Sequence, residues 1–263
     1  MTRIIFLLGG LMLFFNCSSN PLVEELFNNA GNISQKKYSK EQIKNLSRPV
    51  QKYFNYALSE GQPYVSYLRL RHGGRFKTAR DKDWVDIKGK QYFIAEKPGF
   101  VWSGKTKMFR AEDAYVNDHG HLKIYLFSII RIINQQGRKT DQGELLRWLG
   151  ESVWLPTNLL PSKNKHWTPI DSTSARLTYT GNDHEVYYDI IFNKQGQIVE
   201  MQTERYKGED SKETWIGRVS EYVEVNDMHV PSRISGIWRL ESGDYQYADF
   251  KVEKFEYDVP EPF

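Results

Sequence analysis

The stretch EVYYDIIFNKQGQIVEMQTERY, residues 185–206, decides the fold class. Successive side chains of an extended chain point to opposite sides, so Val186, Tyr188, Ile190 and Phe192 share one face. Lys194–Gly196 then supplies a turn, and a second extended run follows. This is a β-hairpin with one face against a core or a cavity.

The same grammar spreads outward. SARLTYTGND (174–183), TWIGRVSEYVEVNDMHVPSRISGIWRL (214–240) and GDYQYADFKVEKFEY (243–257) read as long strands with turns at Gly181–Asp183, Asn226–Asp227 and Ser242–Gly243. Upstream, PYVSYLRLRHGGRFK (63–77) reads as a hairpin about Gly73-Gly74, and WVDIKGKQYFIA (84–95) as another about Gly89. FVWSGKTKMF and AYVNDHGHLKIYLFSII continue the series. Two segments break the rhythm. After a capping-box spacing at Ser39–Gln42, Pro49 opens a helix whose Val50, Tyr53, Phe54, Ala57 and Leu58 form one apolar stripe. Residues 141–154 form a second, amphipathic helix. The expected fold is mainly β with helices (α+β): about ten antiparallel strands in one curved sheet or half-barrel, in a single domain over 41–263.

Aromatics make up 14% of the chain, which suits strands and large apolar pockets. The formal net charge is only +3, and basic residues alternate with acidic ones, so no stripe marks a nucleic-acid partner. The N-terminus is different in kind. Arg3 precedes an apolar run from Ile4 to Phe15, too short for a span of roughly 20 residues, so residues 1–17 read as a signal peptide. It ends at the single cysteine, Cys17, in LMLFFNCSSNP. The placement resembles the lipobox of bacterial lipoproteins, although Phe14 and Asn16 depart from its usual residues. The resemblance implies acylation of Cys17, a membrane tether through polar residues 18–40, and a place in the cell envelope facing the periplasm or exterior. The competing reading is cleavage near Ser19 and a soluble exported chain.

Two wider resemblances add to this. GQIVEMQTERY, VNDMHVPSRISGIWR and YQYADFKVEKFEYD are similar in rhythm to the LolA-like half-barrels of lipoprotein carriers, including a corner like that at Met228–Pro231. RPVQKYFNYAL, YLRLRHGGRFK, GFVWSGK and ELLRWLGESVWLPTNLLP resemble a family of uncharacterised bacterial proteins over about residues 45–260. The first resemblance implies a hydrophobic cavity, and the second carries no catalytic residues.

Motifs for chemistry are few. GFVWSGKT, 99–106, fits the P-loop letters, but Phe100-Val101-Trp102 is strand-like and no βαβ unit surrounds it, so no nucleotide is expected. His119 and His121 flank a glycine and have no cysteine partner, which argues against a metal. SQKK, 34–37, has no companion motif, and no other cofactor is indicated. Glu144, Arg147 and Glu151 share one arc of the second helix. They are acid–base candidates if that arc meets a cavity, and the expectation is a solvated face with ion pairs. Arg69 and Arg71, on one strand face beside His72, are candidates for an anionic headgroup. Trp102, Tyr188, Phe192 and Trp238, with Tyr179 and Met201, are candidate inner-face residues. The resulting expectation is a non-enzymatic exported protein that binds a lipid or other apolar ligand. The alternatives are an envelope enzyme on the Glu/Arg arc and a structural or interaction lipoprotein.

Overall fold

The computed structural model describes residues 20–181, 183–208 and 211–263; the expected signal peptide and Cys17 lie outside the described residues. The chain begins with α1 (Pro21–Asn28) and, after a 3-10 turn at Lys40–Ile43, α2 (Arg48–Ala57). Six strands follow: β1 (Tyr67–Phe76), β2 (Val85–Ile94), β3 (Gly99–Lys105), β4 (Phe109–Val116), β5 (His119–Leu126) and β6 (Ile130–Gln135). Helix α3 (Arg138–Glu151) leads into 3-10 turns at Ser152–Trp154 and Pro156–Leu159. The last seven strands are β7 (Lys165–Pro169), β8 (Ser174–Gly181), β9 (His184–Phe192), β10 (Ile198–Tyr206), β11 (Lys212–Val225), β12 (Met228–Leu240) and β13 (Gly243–Tyr257).

All thirteen strands form one antiparallel sheet, ordered β6-β5-β4-β3-β2-β1-β13-β12-β11-β10-β9-β8-β7. Successive strands pair with each other except β6 and β7, which form the two edges, and β1 pairs with β13 at the centre. The sheet curls, because α3 packs against β3, β4 and β5 on one limb and β9 and β10 on the other. Residues 185–206 form the hairpin expected of them, with Val186, Tyr188, Ile190 and Phe192 all buried. The turn at Asn226–Asp227 has both residues at positive φ (54° and 59°), the geometry of a tight two-residue hairpin loop.

The count of about ten strands is too low, since the sheet has thirteen, and two glycine sites read as turns prove to lie within strands. Gly73-Gly74 and Gly89 lie inside single strands, not at turns. A Cβ on Gly74, at φ +145°, would sit 2.3 Å from the Asp249 carbonyl oxygen of β13. A Cβ on Gly89 would sit 2.2 Å from His72 Nε2. Both glycines permit close approach across the sheet, a role that sequence does not distinguish from a turn.

The stripe of α2 is buried as expected, with Val50, Tyr53, Phe54 and Ala57 against the concave side. The Ser39–Gln42 capping box forms at the 3-10 turn. Two expectations are corrected. Within the supposed tether, α1 packs Val23 and Leu26 on the outer face of β2–β4, against Tyr92, Ile94, Val101, Ala114 and Val116. Helix α3 is not amphipathic with a solvated face: Glu144, Leu145, Leu146, Trp148 and Leu149 are all buried, because the curled sheet covers both its flanks. Residues 99–105 are strand β3, paired on both sides, and not the strand-to-helix turn that cradles a phosphate.

Candidate functional site

The concave side encloses a cavity of about 280 Å³ beside α3. Its wall is largely apolar and carries seven aromatic rings: Phe76, Trp102, Phe109, Tyr188, Trp215, Tyr247 and Phe250. Alternation along the strands places them there, since Phe109, Ala111 and Asp113 share one face of β4, and Leu122 and Ile124 share one face of β5. Glycines make room for the rings. A Cβ on Gly104 would lie 2.4 Å from the Trp102 ring, and one on Gly236 would lie 2.9 Å from the Tyr247 ring. Tyr188 donates its hydroxyl hydrogen to the Leu146 carbonyl at 3.1 Å, and Trp215 Nε1 donates to Tyr247 Oη at 2.9 Å.

One end of the cavity is charged. Arg147 lies over the rings of Trp102 and Phe100, at 4.8 and 5.0 Å. Its Nη1 donates to Asp113 Oδ2 at 2.5 Å and its Nε to Glu151 Oε1 at 2.9 Å. Gln91 closes the group by donating from Nε2 to Glu151 Oε2 at 2.6 Å. Behind it, Arg205 Nη2 stands 3.6 Å from Glu144 Oε1. Three carboxyl groups therefore meet two guanidinium groups. Burial pushes the Glu144 carboxyl up to about 8, and the nearby Asp113 adds to the rise. Burial also raises Asp113, against the opposing pull of Arg147 and Arg205. With Glu144 protonated, two negative charges face two positive ones. Asp113 Oδ1 and Glu144 Oε2 are buried without a hydrogen-bond partner among the described residues. The Asp113 oxygen is an acceptor, costly to leave unmet, and suits a ligand that carries a donor.

His72 sits behind Trp102 and receives its indole N–H at Nε2, 2.8 Å away. Its other ring nitrogen faces the Gly73 carbonyl, so the neutral imidazole is protonated there. Burial holds the His72 pKa down to about 4.

The candidates divide clearly. Trp102, Tyr188 and Met201 line the cavity, as do Arg147 and Glu151. Phe192 packs instead with Tyr53 and Trp167, and Trp238 stacks on Tyr247 outside the wall. Tyr179 lines a separate recess of about 460 Å³, where Asn158 holds the buried Lys165 ammonium. Arg69 and Arg71 point to the outer face. Arg69 binds Glu256 at 3.0 Å and the carbonyls of Glu261 and Pro262, and both guanidinium groups lie over the Phe263 ring. They meet the chain's own C-terminal residues, away from the cavity. Asp113 and Arg205 were missed. Alternation with Ala111 in β4 and with Thr203 in β10 places both inward, and a charge at an inward position was the available signal.

The described residues contain no group of three or more His, Cys, Asp or Glu side chains placed to hold a metal ion. They also contain no helix long and apolar enough to cross a membrane.

Fold and cavity define a curled, open antiparallel sheet that encloses an aromatic-lined cavity with a buried ion cluster at one end. The chain belongs to a family of unknown function, DUF6544, which matches residues 36–250. No curated protein matches it. It is similar in structure to a LolA superfamily protein from Nitrosomonas europaea, with a TM-score of 0.45 and 11% identity over 80% of this chain and 92% of that one. It is also similar to a putative outer membrane lipoprotein-sorting protein domain from Vibrio parahaemolyticus (TM-score 0.40, 9% identity, 75% and 87% covered). A DUF1329 family protein from Desulfovibrio piger is a third such structure (0.43, 8%, 75% and 88%). Both resemblances read from the sequence are met in these matches.

Proposed function

We propose that this chain binds an apolar or amphipathic ligand in the cavity beside α3. One observation carries the reading: an aromatic-walled cavity of about 280 Å³ ends at a buried ion cluster with an unmet acceptor, Asp113 Oδ1. The volume lies near the lower end of small-molecule sites, roughly 300–1,000 Å³, and suits a chain-like ligand. Each methylene moved from water into such a site contributes about 0.8 kcal/mol. A hydroxyl or amine at the ligand's polar end would donate to Asp113, while Arg147 and Arg205 keep the carboxylates compensated. The proposal includes export, with Cys17 as the lipid-bearing N-terminus and the cavity domain held in the cell envelope.

Native mass spectrometry of the purified protein, with organic extraction, tests the binding. The expected result is a co-purifying amphiphile. An apolar fluorescent probe should bind the wild type and be excluded by Ala111→Phe, which fills the cavity. No co-purifying molecule, together with equal probe binding by both proteins, would overturn the reading. Mass spectrometry of the mature N-terminus tests Cys17 separately.

A second reading, an acid–base enzyme on the Glu144, Arg147 and Glu151 arc, draws on the raised Glu144 carboxyl, which falls in the range useful for general acid catalysis. It requires turnover of some substrate that Glu151→Gln abolishes while probe binding persists. A panel of acyl esters and glycosides without any such turnover would count against it.

A further inference from the structure

The β5–β6 hairpin carries a feature that cavity binding does not explain. Among the described residues seven large apolar side chains are exposed, and five of them, Met108, Phe127, Ile129, Ile130 and Ile132, gather at this hairpin and the adjoining β3–β4 turn. Ile129 is 82% exposed. The turn is built to present them. Phe127 and Ser128 both have positive φ (48° and 62°), an uncommon state for a bulky side chain such as Phe127. The Phe127 N–H donates to the Met108 carbonyl at 2.6 Å and ties the two turns into one apolar tip. Thr106 Oγ1 accepts the amides of Met108 and Phe109 and fixes the second turn. The register shift between Ile124 and Tyr125 leaves Ile132 as an unpaired extra residue on β6, a bulge on the sheet's outermost strand.

The two segments that form the tip carry charge of one sign. Positions 105–111 and 119–137 contain Lys105, Lys107, Arg110, Lys123 and Arg131, and no Asp or Glu. Glu112, two positions after Arg110 on β4, is paired with it at 3.4 Å. Apolar side chains ringed by cations match the interface of an anionic lipid bilayer, where the apolar groups enter the headgroup region and the cations meet the lipid phosphates. A second copy paired through β6 would bring the same cations face to face. The strands that bear the tip also carry Phe109, Leu122 and Ile124 of the cavity wall, so a bilayer seated on the tip lies beside the cavity.

We infer that the β5–β6 hairpin docks this protein on an anionic bilayer surface. The inference stands on residues other than those that carry the ligand-binding proposal. It is tested in the full chain with Cys17→Ser, so that a polarity-sensitive fluorophore can be placed at Ile129→Cys. A control label goes at Ile170→Cys, exposed after β7 at the opposite sheet edge. On phosphatidylglycerol-containing vesicles the label at 129 should shift to the blue and be quenched by lipid-borne nitroxide, while the label at 170 stays aqueous. Lys107→Glu with Arg131→Glu should weaken docking about tenfold or more, as should raising salt from about 0.05 M to about 0.5 M. Ala111→Phe should dock normally, so loss of ligand binding and loss of docking remain separate results. The inference is overturned if both labels shift alike, which assigns attachment to the apolar N-terminal run. Equal shifts on phosphatidylcholine vesicles would also overturn it, as would a shift at 129 without lipid in a dimer detected by light scattering.

Discussion

Arg147 Nη1 and Asp113 Oδ2 meet at 2.5 Å, joining the enclosed helix α3 to strand β4 at the charged end of the cavity. The pair is mostly hidden from water, with side chains 15% and 18% exposed. Removing one partner of a buried pair leaves an uncompensated charge. Arg147→Met is therefore expected to lower stability by about 3–5 kcal/mol in urea unfolding. Adding Asp113→Asn and Glu151→Gln to Arg147→Met should recover most of the loss, because no carboxylate is then left bare. A triple variant as unstable as Arg147→Met would show that the guanidinium acts mainly through its packing on Trp102 and Phe100.

Glu144 gives the protein a pH dependence of known sign. Its folded-state pKa is raised to about 8 from an ordinary value of 4.5. Between those values the folded state holds a proton that the unfolded state has released. Stability thus falls as pH rises from about 4.5 to 8 and is flat in this term above 8. Glu144→Gln keeps the neutral shape and removes the term. The variant should gain on wild type by up to about 5 kcal/mol across that window, about 1.36 kcal/mol for each pH unit between 4.5 and 8, in parallel denaturation series. Parallel curves would mean that Arg205 keeps Glu144 ionised in the folded protein.

His72 acts in the other direction. Its folded pKa is lowered to about 4 from 6.5, so the unfolded chain takes up the proton first on acidification. Its contribution is complete above pH 6.5 and is lost as pH falls toward 4. Once protonated, Nε2 can no longer accept the Trp102 indole N–H. A Trp fluorescence transition with a midpoint near pH 4, absent in Trp102→Phe, is the expected signature. An unchanged transition in that variant would place it on another indole.

What was legible follows from period and composition. Alternation in residues 185–206 and the stripe of α2 are local patterns, and local patterns are readable. The arc of Glu144, Arg147 and Glu151 was also readable as an arc, but its environment was not. A charged arc beside Leu145 and Trp148 looks solvated until a curled sheet covers it, and that curl is set by strands more than 50 positions apart along the chain. That Arg69 and Arg71 lie away from the cavity was not legible for a related reason. Their partner is the C-terminal segment at Phe263, which no short-range pattern links to β1.

Gly104 provides a test of how tightly the cavity wall is set. In sequence it is the second glycine of a P-loop-like string, while in the fold it lies within β3, paired with Gly89 of β2. The Trp102 ring lies across it, with Cη2 and Cζ2 2.4 Å from where a Cβ would stand. The ring is not free to yield, since His72 holds its N–H and Arg147 covers its face. Ala in place of Gly within a strand would ordinarily help by roughly 0.5–1 kcal/mol. Here Gly104→Ala should instead destabilise by about 1–3 kcal/mol, the usual range for overpacking. Trp102→Leu withdraws the obstructing ring atoms, so the same Gly104→Ala change made in that background should be neutral or stabilising. The difference is a coupling energy, measurable by a double-mutant cycle in urea. Coupling near zero would mean that the sheet, and not the ring, absorbs the added methyl group.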